Sequence, residues 1–259
     1  MTAAAGPLVF AHRGASADLP EHTLVAYERA LADGADGLEC DVRLTRDGHL
    51  VCVHDRRLDR TSTGRGLVSA RTLAELDQYD FGSWHPGARG AVERVPVLTL
   101  DRLVRTVLDG ARPVRLLIET KHPSRYGSDV ERRLVALLSR YGLTRPGPRD
   151  QVRVTVMSFS PLALRRIQAL APRLPTVLLL EVVPPGIRLR RLPFGARVGG
   201  PAVDLVRARP AIVEALRSGG NGIYVWTVNE PADIDLVIGH GVDGIITDRP
   251  RAVLDRLGR

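Results

Sequence analysis

Short aliphatic and β-branched runs alternate along the chain with segments whose apolar residues recur at three- and four-residue spacing. That alternation is the signature of parallel strands joined by crossover helices. The pattern predicts strands at 8–11, 37–42, 115–119, 153–158, 176–180, 202–206, 223–228 and 244–246. Leu100, Leu103, Val104, Val107 and Leu108 share one helical face that stops at Gly110. Ser128 and Glu131 have the spacing of a capping box ahead of Val130, Leu134, Leu137, Leu138 and Tyr141, and Gly142 ends that helix. Pro161 and Pro231 stand where helices begin. Eight strand–helix units in 259 residues imply one (β/α)8 TIM barrel spanning residues 1–259. The alternative is an open doubly wound sheet, but no Gly-x-Gly-x-x-Gly fingerprint follows an early strand.

The apolar run 50–54 follows the second strand too closely for a crossover and must pair with it antiparallel. A two-residue Asp47-Gly48 turn sets Arg46 against His49, Leu44 against Val51 and Asp41 against His54. Directly opposed residues share a face, so Glu39, Asp41 and His54 are expected on one side of the ribbon. From about 55 to 97 the chain is polar, rich in Gly and Arg and without a long periodic segment, as expected of an insertion over the barrel mouth. A second irregular stretch holds Arg188, Arg190, Arg191 and Arg197. Because it leaves a strand at its C-terminal end, these arginines are expected on the rim of the mouth, where they would either attract an anionic substrate or stand as solvated surface charges.

Composition narrows the class. No run approaches the roughly 20 apolar residues of a membrane helix, and the first apolar stretch is too short for a signal peptide. Two cysteines, Cys40 and Cys52, make neither a disulfide framework nor a thiolate zinc site, and a cytoplasmic protein is the simplest inference. The net charge of +8 is spread along the chain, with only 4% aromatic residues and no nucleic-acid-binding motif. Nucleic acid is therefore not the expected partner, although the charge leaves room for weak association with anionic lipid surfaces. Lys121 is the only lysine among 37 basic residues, which suggests a role that a guanidinium cannot fill.

Barrel active sites lie at the C-terminal strand ends. Those ends carry His12 and Arg13, Glu39 and Asp41, Glu119 and Lys121, and Trp226. Three carboxylates in one barrel mouth repel unless protons or a cation compensate them, and an all-oxygen set favours Mg2+ or Ca2+. The alternative is that Glu39 and Asp41 pair with nearby arginines in a salt-bridge network. His12 and His54 are candidates for general acid and base. Lys121 is a candidate to stabilise charge on a phosphoryl group.

The motifs His12-Arg13-Gly14, Pro20-Glu21-His22-Thr23, Glu39-Cys40-Asp41-Val42, Asp47-Gly48, His54-Asp55, Glu119-Thr120-Lys121, Val225-Trp226-Thr227-Val228-Asn229 and Gly244-Ile245-Ile246-Thr247-Asp248-Arg249-Pro250 together resemble the glycerophosphodiester phosphodiesterase family, over residues 8–250. The resemblance implies a phospholipase-C-like barrel that hydrolyses a glycerophosphodiester to sn-glycerol 3-phosphate and an alcohol. It implies metal ligation by Glu39, Asp41 and Glu119, catalysis by His12 and His54, and phosphate contacts from Arg13 and Lys121. Glu21 is expected to orient His12 or to bind substrate hydroxyls, and Trp226 to line the substrate site. On this reading the cation engages a phosphoryl oxygen and the glycerol 2-hydroxyl, His12 takes the hydroxyl proton and His54 protonates the departing alcohol. Water then opens the cyclic phosphate with the roles reversed. His22 departs from the family, which usually has asparagine there. The rivals are a phospholipase-D-type lyase or phosphoinositide-type lipase on the same barrel, and a catalytically silent binding barrel.

Overall fold

The computed structural model describes residues 6–88 and 93–259. Eight parallel strands close on themselves among these residues: β1 (Leu8–His12), β2 (Gly37–Leu44), β4 (Val114–Thr120), β5 (Val152–Ser158), β6 (Thr176–Leu180), β7 (Val198–Pro201), β8 (Gly222–Val225) and β9 (Gly244–Thr247). Pairing of β1 with both β2 and β9 completes the ring. A short antiparallel β3 (Leu50–Cys52) hangs on the far end of β2. The outer ring is α1 (Leu24–Ala32), α3 (Leu100–Leu108), α4 (Asp129–Arg140), α5 (Pro161–Leu170), α6 (Val203–Ala208), α7 (Ala211–Arg217), α8 (Pro231–Gly239) and α9 (Pro250–Arg256). A single turn, α2 (Leu73–Leu76), lies within the 55–97 segment. The (β/α)8 barrel is therefore as the periodicity implied.

The strands bury both faces, as parallel strands between two apolar layers must. Outward residues such as Leu38, Leu116, Ile118 and Val154 pack on the helices, where α3 contributes Leu100, Leu103, Val104 and Val107. Inward residues Phe10, Leu117, Met157, Val177, Leu179 and Ile246 fill the barrel floor. Segment 55–97 has its own small core, Leu58, Val68, Leu76, Phe81 and Val97, packed on Val51 and Val53. Residues 89–92 of it lie outside the described residues.

Four local expectations need correction. The sixth strand is Val198–Pro201, and the expected strand at 202–206 is instead the start of α6. Val-Gly-Gly-Pro carries almost no apolar signal because larger side chains do not fit. A Cβ on Gly199 would lie 2.6 Å from Leu216 of α7, and one on Gly200 would lie 2.8 Å from Leu179. The neighbours thus supply the bulk that the strand lacks.

The hairpin register is shifted by one. Val42 pairs with Cys52 and Leu44 with Leu50, and the loop has three residues, Arg46, Asp47 and Gly48. Gly48 occupies the left-handed region at φ +84, and its N–H donates to Thr45 O. This is the type I turn with a terminal glycine, not the two-residue primed turn. Asp47 is held out of the left-handed region because its carboxylate accepts from the Thr45 hydroxyl and from Leu73 N–H, at the start of α2. Asp41 consequently stands opposite Val53, whose N–H it receives at 3.1 Å. His54 lies past the end of β3, where the Arg43 guanidinium clasps its carbonyl at 2.8 and 2.6 Å.

Ser128 and Glu131 form no capping box. The Ser128 backbone is helical, and the fully buried Glu131 receives His122 Nε2 at 2.5 Å instead. The true capping box is Thr72 with Glu75, on α2. Finally, the arginines of 188–197 do not crown the mouth. The turn 188–191 sits on the loop that feeds β8 from its N-terminal end, with Asn221 Nδ2 donating to Leu189 O at 3.0 Å. Arg197 O accepts from Gly222 N–H at that same end of the barrel.

The close fit of β7 generates a test. Gly199→Ala should destabilise the fold by about 1–3 kcal/mol, the cost of overpacking a rigid contact. In denaturant unfolding its effect should be markedly non-additive with Leu216→Ala. Additive effects would show that the Gly199–Leu216 contact does not set the sequence of β7.

Candidate active site

The period of two that fills the barrel floor also builds the mouth. Inward Phe10 is followed two residues on by His12, Leu117 by Glu119, Met157 by Phe159, Leu179 by Glu181, Tyr224 by Trp226 and Ile246 by Asp248. Glu39 and Asp41 are the matching inward pair on β2, where Glu39 pairs with His12 and Asp41 with Glu119. These strand ends enclose a cavity of about 310 Å³ lined by His12, Arg13, Glu39, His54, Glu119 and Lys121 on one side. Phe159, Glu181 and Trp226 line the other.

Glu39, Asp41 and Glu119 are all buried and can each place one carboxylate oxygen within 4.8 Å of the others. Two cations lean on them. Lys121 Nζ lies 2.9 Å from Glu119 and 3.3 Å from Asp41. Arg13 Nε lies 3.0 Å from Asp41 without the alignment of a hydrogen bond, while its backbone N–H donates to Glu39. Burial works against the charge of Asp41, but Arg13, Lys121 and His22 outweigh it and hold its carboxyl below the usual range. Burial, then the charge of Asp41, push the Glu119 carboxyl up to about 8 and Glu39 well above its usual range. Two of the three carboxyls are thus under-compensated by the protein alone. Three converging oxygen donors with a deficit of positive charge suit a hard divalent cation.

The two histidines are each backed by a carboxylate. His12 Nδ1 lies 2.6 Å from Asp248 Oδ1, and Asp248 also receives Ser16 Oγ at 2.8 Å and Asn229 Nδ2 at 2.6 Å. His54 Nδ1 lies 2.7 Å from Asp55 Oδ1, and Asp55 is held by Arg60 at 2.7 Å. A carboxylate only accepts, so each Nδ1 carries the proton and each Nε2 remains as the second ring nitrogen. Burial pushes the His54 imidazole down to about 4, so it is neutral near pH 7.

Glu21 does not contact His12; it receives Arg13 Nη1 at 3.0 Å and Arg60 at 2.7 and 2.9 Å. It therefore anchors the guanidinium that faces Asp41, and through Arg60 it reaches the Asp55–His54 pair. His22 is the residue whose place was least legible. It is buried at φ +60, in the left-handed region where Asn and His are more readily accepted than most residues. Its Nε2 donates to Asp41 Oδ2 at 3.0 Å, and Nδ1 meets the Tyr27 hydroxyl at 2.8 Å. Asp55, Asp248 and Asn229 stood within the motifs but were assigned no role. Phe159 and Glu181 were missed, since nothing marks them except position two beyond an inward strand residue.

The profile of the glycerophosphoryl diester phosphodiesterase family matches residues 12–252. A Mycobacterium tuberculosis protein named probable glycerophosphodiester phosphodiesterase 1 is 52% identical over 246 residues, covering 94% of this chain and 90% of that one. A glycerophosphodiester phosphodiesterase of Caldanaerobacter subterraneus is 35% identical, covering 96% of both chains. A solved Oleispira antarctica phosphodiesterase in complex with the product sn-glycerol-3-phosphate is 26% identical. It superposes with a TM-score of 0.82 over 98% of this chain and 97% of that one.

The raised Glu119 carboxyl has a measurable consequence. In the metal-free protein it contributes stability below its ordinary pKa of 4.5, and that contribution is lost as pH rises through about 8. A cation must displace the proton. Affinity for Ca2+ or Mg2+ should therefore climb as pH approaches about 8, with proton release seen by calorimetry in buffers of different ionisation enthalpy. An affinity independent of pH with no proton release would contradict the arrangement.

Proposed function

The chain belongs to the glycerophosphoryl diester phosphodiesterase family and is a phosphoric diester hydrolase; from that premise we propose that it cleaves glycerophosphodiesters to sn-glycerol 3-phosphate and an alcohol with a divalent cation and two histidines. The observation that carries the reading is a cluster of three buried carboxylates, of which Glu39 and Glu119 line the cavity, beside two carboxylate-backed imidazoles that line it too. Ca2+ or Mg2+ held by Glu39, Asp41 and Glu119 would supply Lewis-acid neutralisation beside the phosphoryl group.

The rest falls to side chains of this chain. Arg13 and Lys121 line the cavity and face the phosphate oxygens, adding positive charge where negative charge builds up. His54 enters neutral and takes the proton of the glycerol 2-hydroxyl as that oxygen attacks phosphorus. His12, beside the Asp248 carboxylate, donates the proton that lets the alcohol leave. This order is the reverse of the one expected from sequence, and it follows from the burial of His54. Water then opens the cyclic phosphate, giving its proton to His12 while His54 returns one to the 2-oxygen. Glu21 positions Arg13, and Trp226 forms part of the substrate wall. Segment 55–97 serves as the insertion over the mouth, bringing Arg60 to Glu21.

No helix among the described residues is long and apolar enough to cross a membrane. A cytoplasmic site of action is part of the proposal and accords with the two free thiols, Cys40 and Cys52. Weak association with anionic lipid rests on the +8 charge.

His12→Ala and His54→Ala should each lower kcat on glycerophosphocholine by about 10²–10⁴. A 4-nitrophenyl ester of glycerol 3-phosphate separates their roles, because its leaving group needs no proton. On that ester the His12→Ala defect should shrink and the His54→Ala defect persist. The opposite pattern would restore the sequence-based order, and near-normal rates in either variant would remove that histidine from the reaction.

A further inference from the structure

The cavity wall facing the carboxylates carries a different chemistry. Phe159 and Trp226 meet edge to face, with ring centroids 5.3 Å apart and planes at 90°, so they form a right-angled aromatic corner. Trp226 Nε1 donates to Gly200 O at 2.6 Å, which fixes its ring. Phe159 is 41% exposed in a chain that buries most of its large apolar side chains. Below the two rings the floor of the cavity is Met157, Leu179 and Ile246, which offer no side-chain hydrogen bonds, and Thr227 adds the one hydroxyl on this side.

One charge interrupts this wall. Glu181 follows β6, lines the cavity, is exposed, and forms no ion pair among the described residues. Lys121 stands near the corner, with Nζ 5.9 Å from the Phe159 centroid, and its ammonium is already engaged by Asp41 and Glu119. An aromatic corner beside a free carboxylate is complementary to a cation with an apolar skin. A polyhydroxylated alcohol would find only Thr227 and Glu181 as partners and leave its other hydroxyls against Met157, Leu179 and Ile246, and an anionic one would meet Glu181.

We propose that Phe159, Trp226 and Glu181 form the subsite for the leaving alcohol, and that it selects alcohols bearing a quaternary ammonium. This rests on the phosphodiesterase reading and deepens it by naming the alcohol class. Glu181 supplies the charge, and the two rings supply the surface for the methyl groups. Because Glu181 is exposed, the preference weakens as salt screens it.

The probe pair is glycerophosphocholine and its uncharged isostere, the 3,3-dimethylbutyl ester of glycerol 3-phosphate, which match in shape and differ in charge. The protein with a divalent cation should favour the choline ester by about tenfold in kcat/KM, mostly through KM. Glu181→Gln and Phe159→Leu should each bring that ratio severalfold towards one. A ratio near one in the parent, or one unchanged in both variants, overturns the subsite. If neither ester is cleaved, the phosphodiesterase reading itself fails and calorimetric titration with the same two esters decides the subsite. Tighter binding of the choline ester by the parent but not by Glu181→Gln supports it, and equal binding overturns it.

Discussion

Three carboxylates buried together at the mouth of a barrel are the constraint around which the upper half of this molecule is organised. Buried charge is tolerated only where partners compensate it. Lys121, Arg13 and His22 are those partners for Asp41, and each is itself positioned by a second group: Lys121 by Glu119, Arg13 by Glu21, and His22 by Tyr27. Arg13 and His22 also take left-handed backbone conformations, at φ 61 and 60, that most side chains avoid. Such strain persists only where surrounding contacts over-determine it, and here it turns both side chains onto one carboxylate. Glu39 and Glu119 are left without full compensation, and that deficit is what suits the cluster to a cation.

The same alternation that makes a stable barrel makes the site. On six of the eight strands an inward position near the floor is apolar or aromatic, and the next inward position, about 6–7 Å higher by strand geometry, is ionisable or aromatic. His12, Glu119, Phe159, Glu181, Trp226 and Asp248 all stand in that upper layer. Strand pairing fixes which of them are neighbours: β1, β2 and β4 bring the acids and a histidine together, while β5, β6 and β8 present the aromatic wall on the other side. A phosphodiester between them would have its reacting phosphorus near charge and its alcohol against rings.

Much of this was legible in the chain because it follows from local chemistry. Runs such as Val-Arg-Leu-Leu-Ile-Glu and Thr-Val-Leu-Leu-Leu announce buried strands, and the carboxylates, His12 and Lys121 sit at or next to their ends. The failures share a cause, since each depended on a distant partner. Gly199 and Gly200 form a strand only because Leu216 and Leu179 fill the space. The hairpin gained a loop residue because Asp47 was recruited by Leu73, and Glu131 left its own helix cap for His122. The chain leaves β6 at the catalytic end but descends before β7, so the arginines of 188–197 lie at the opposite end. His22 read as a departure from a motif until its bond to Asp41 showed what an imidazole does there.

Thermal unfolding at pH 8, in chelator and in saturating Ca2+ or Mg2+, tests the charge deficit most directly when the parent is set beside Glu119→Gln. The account predicts that the cation raises the melting temperature of the parent, as a ligand selective for the folded state must. It also predicts that chelated Glu119→Gln, relieved of an uncompensated buried carboxyl, melts no lower than the chelated parent and loses most of its response to the cation. A parent indifferent to both cations, or a variant that responds as strongly as the parent, would contradict it.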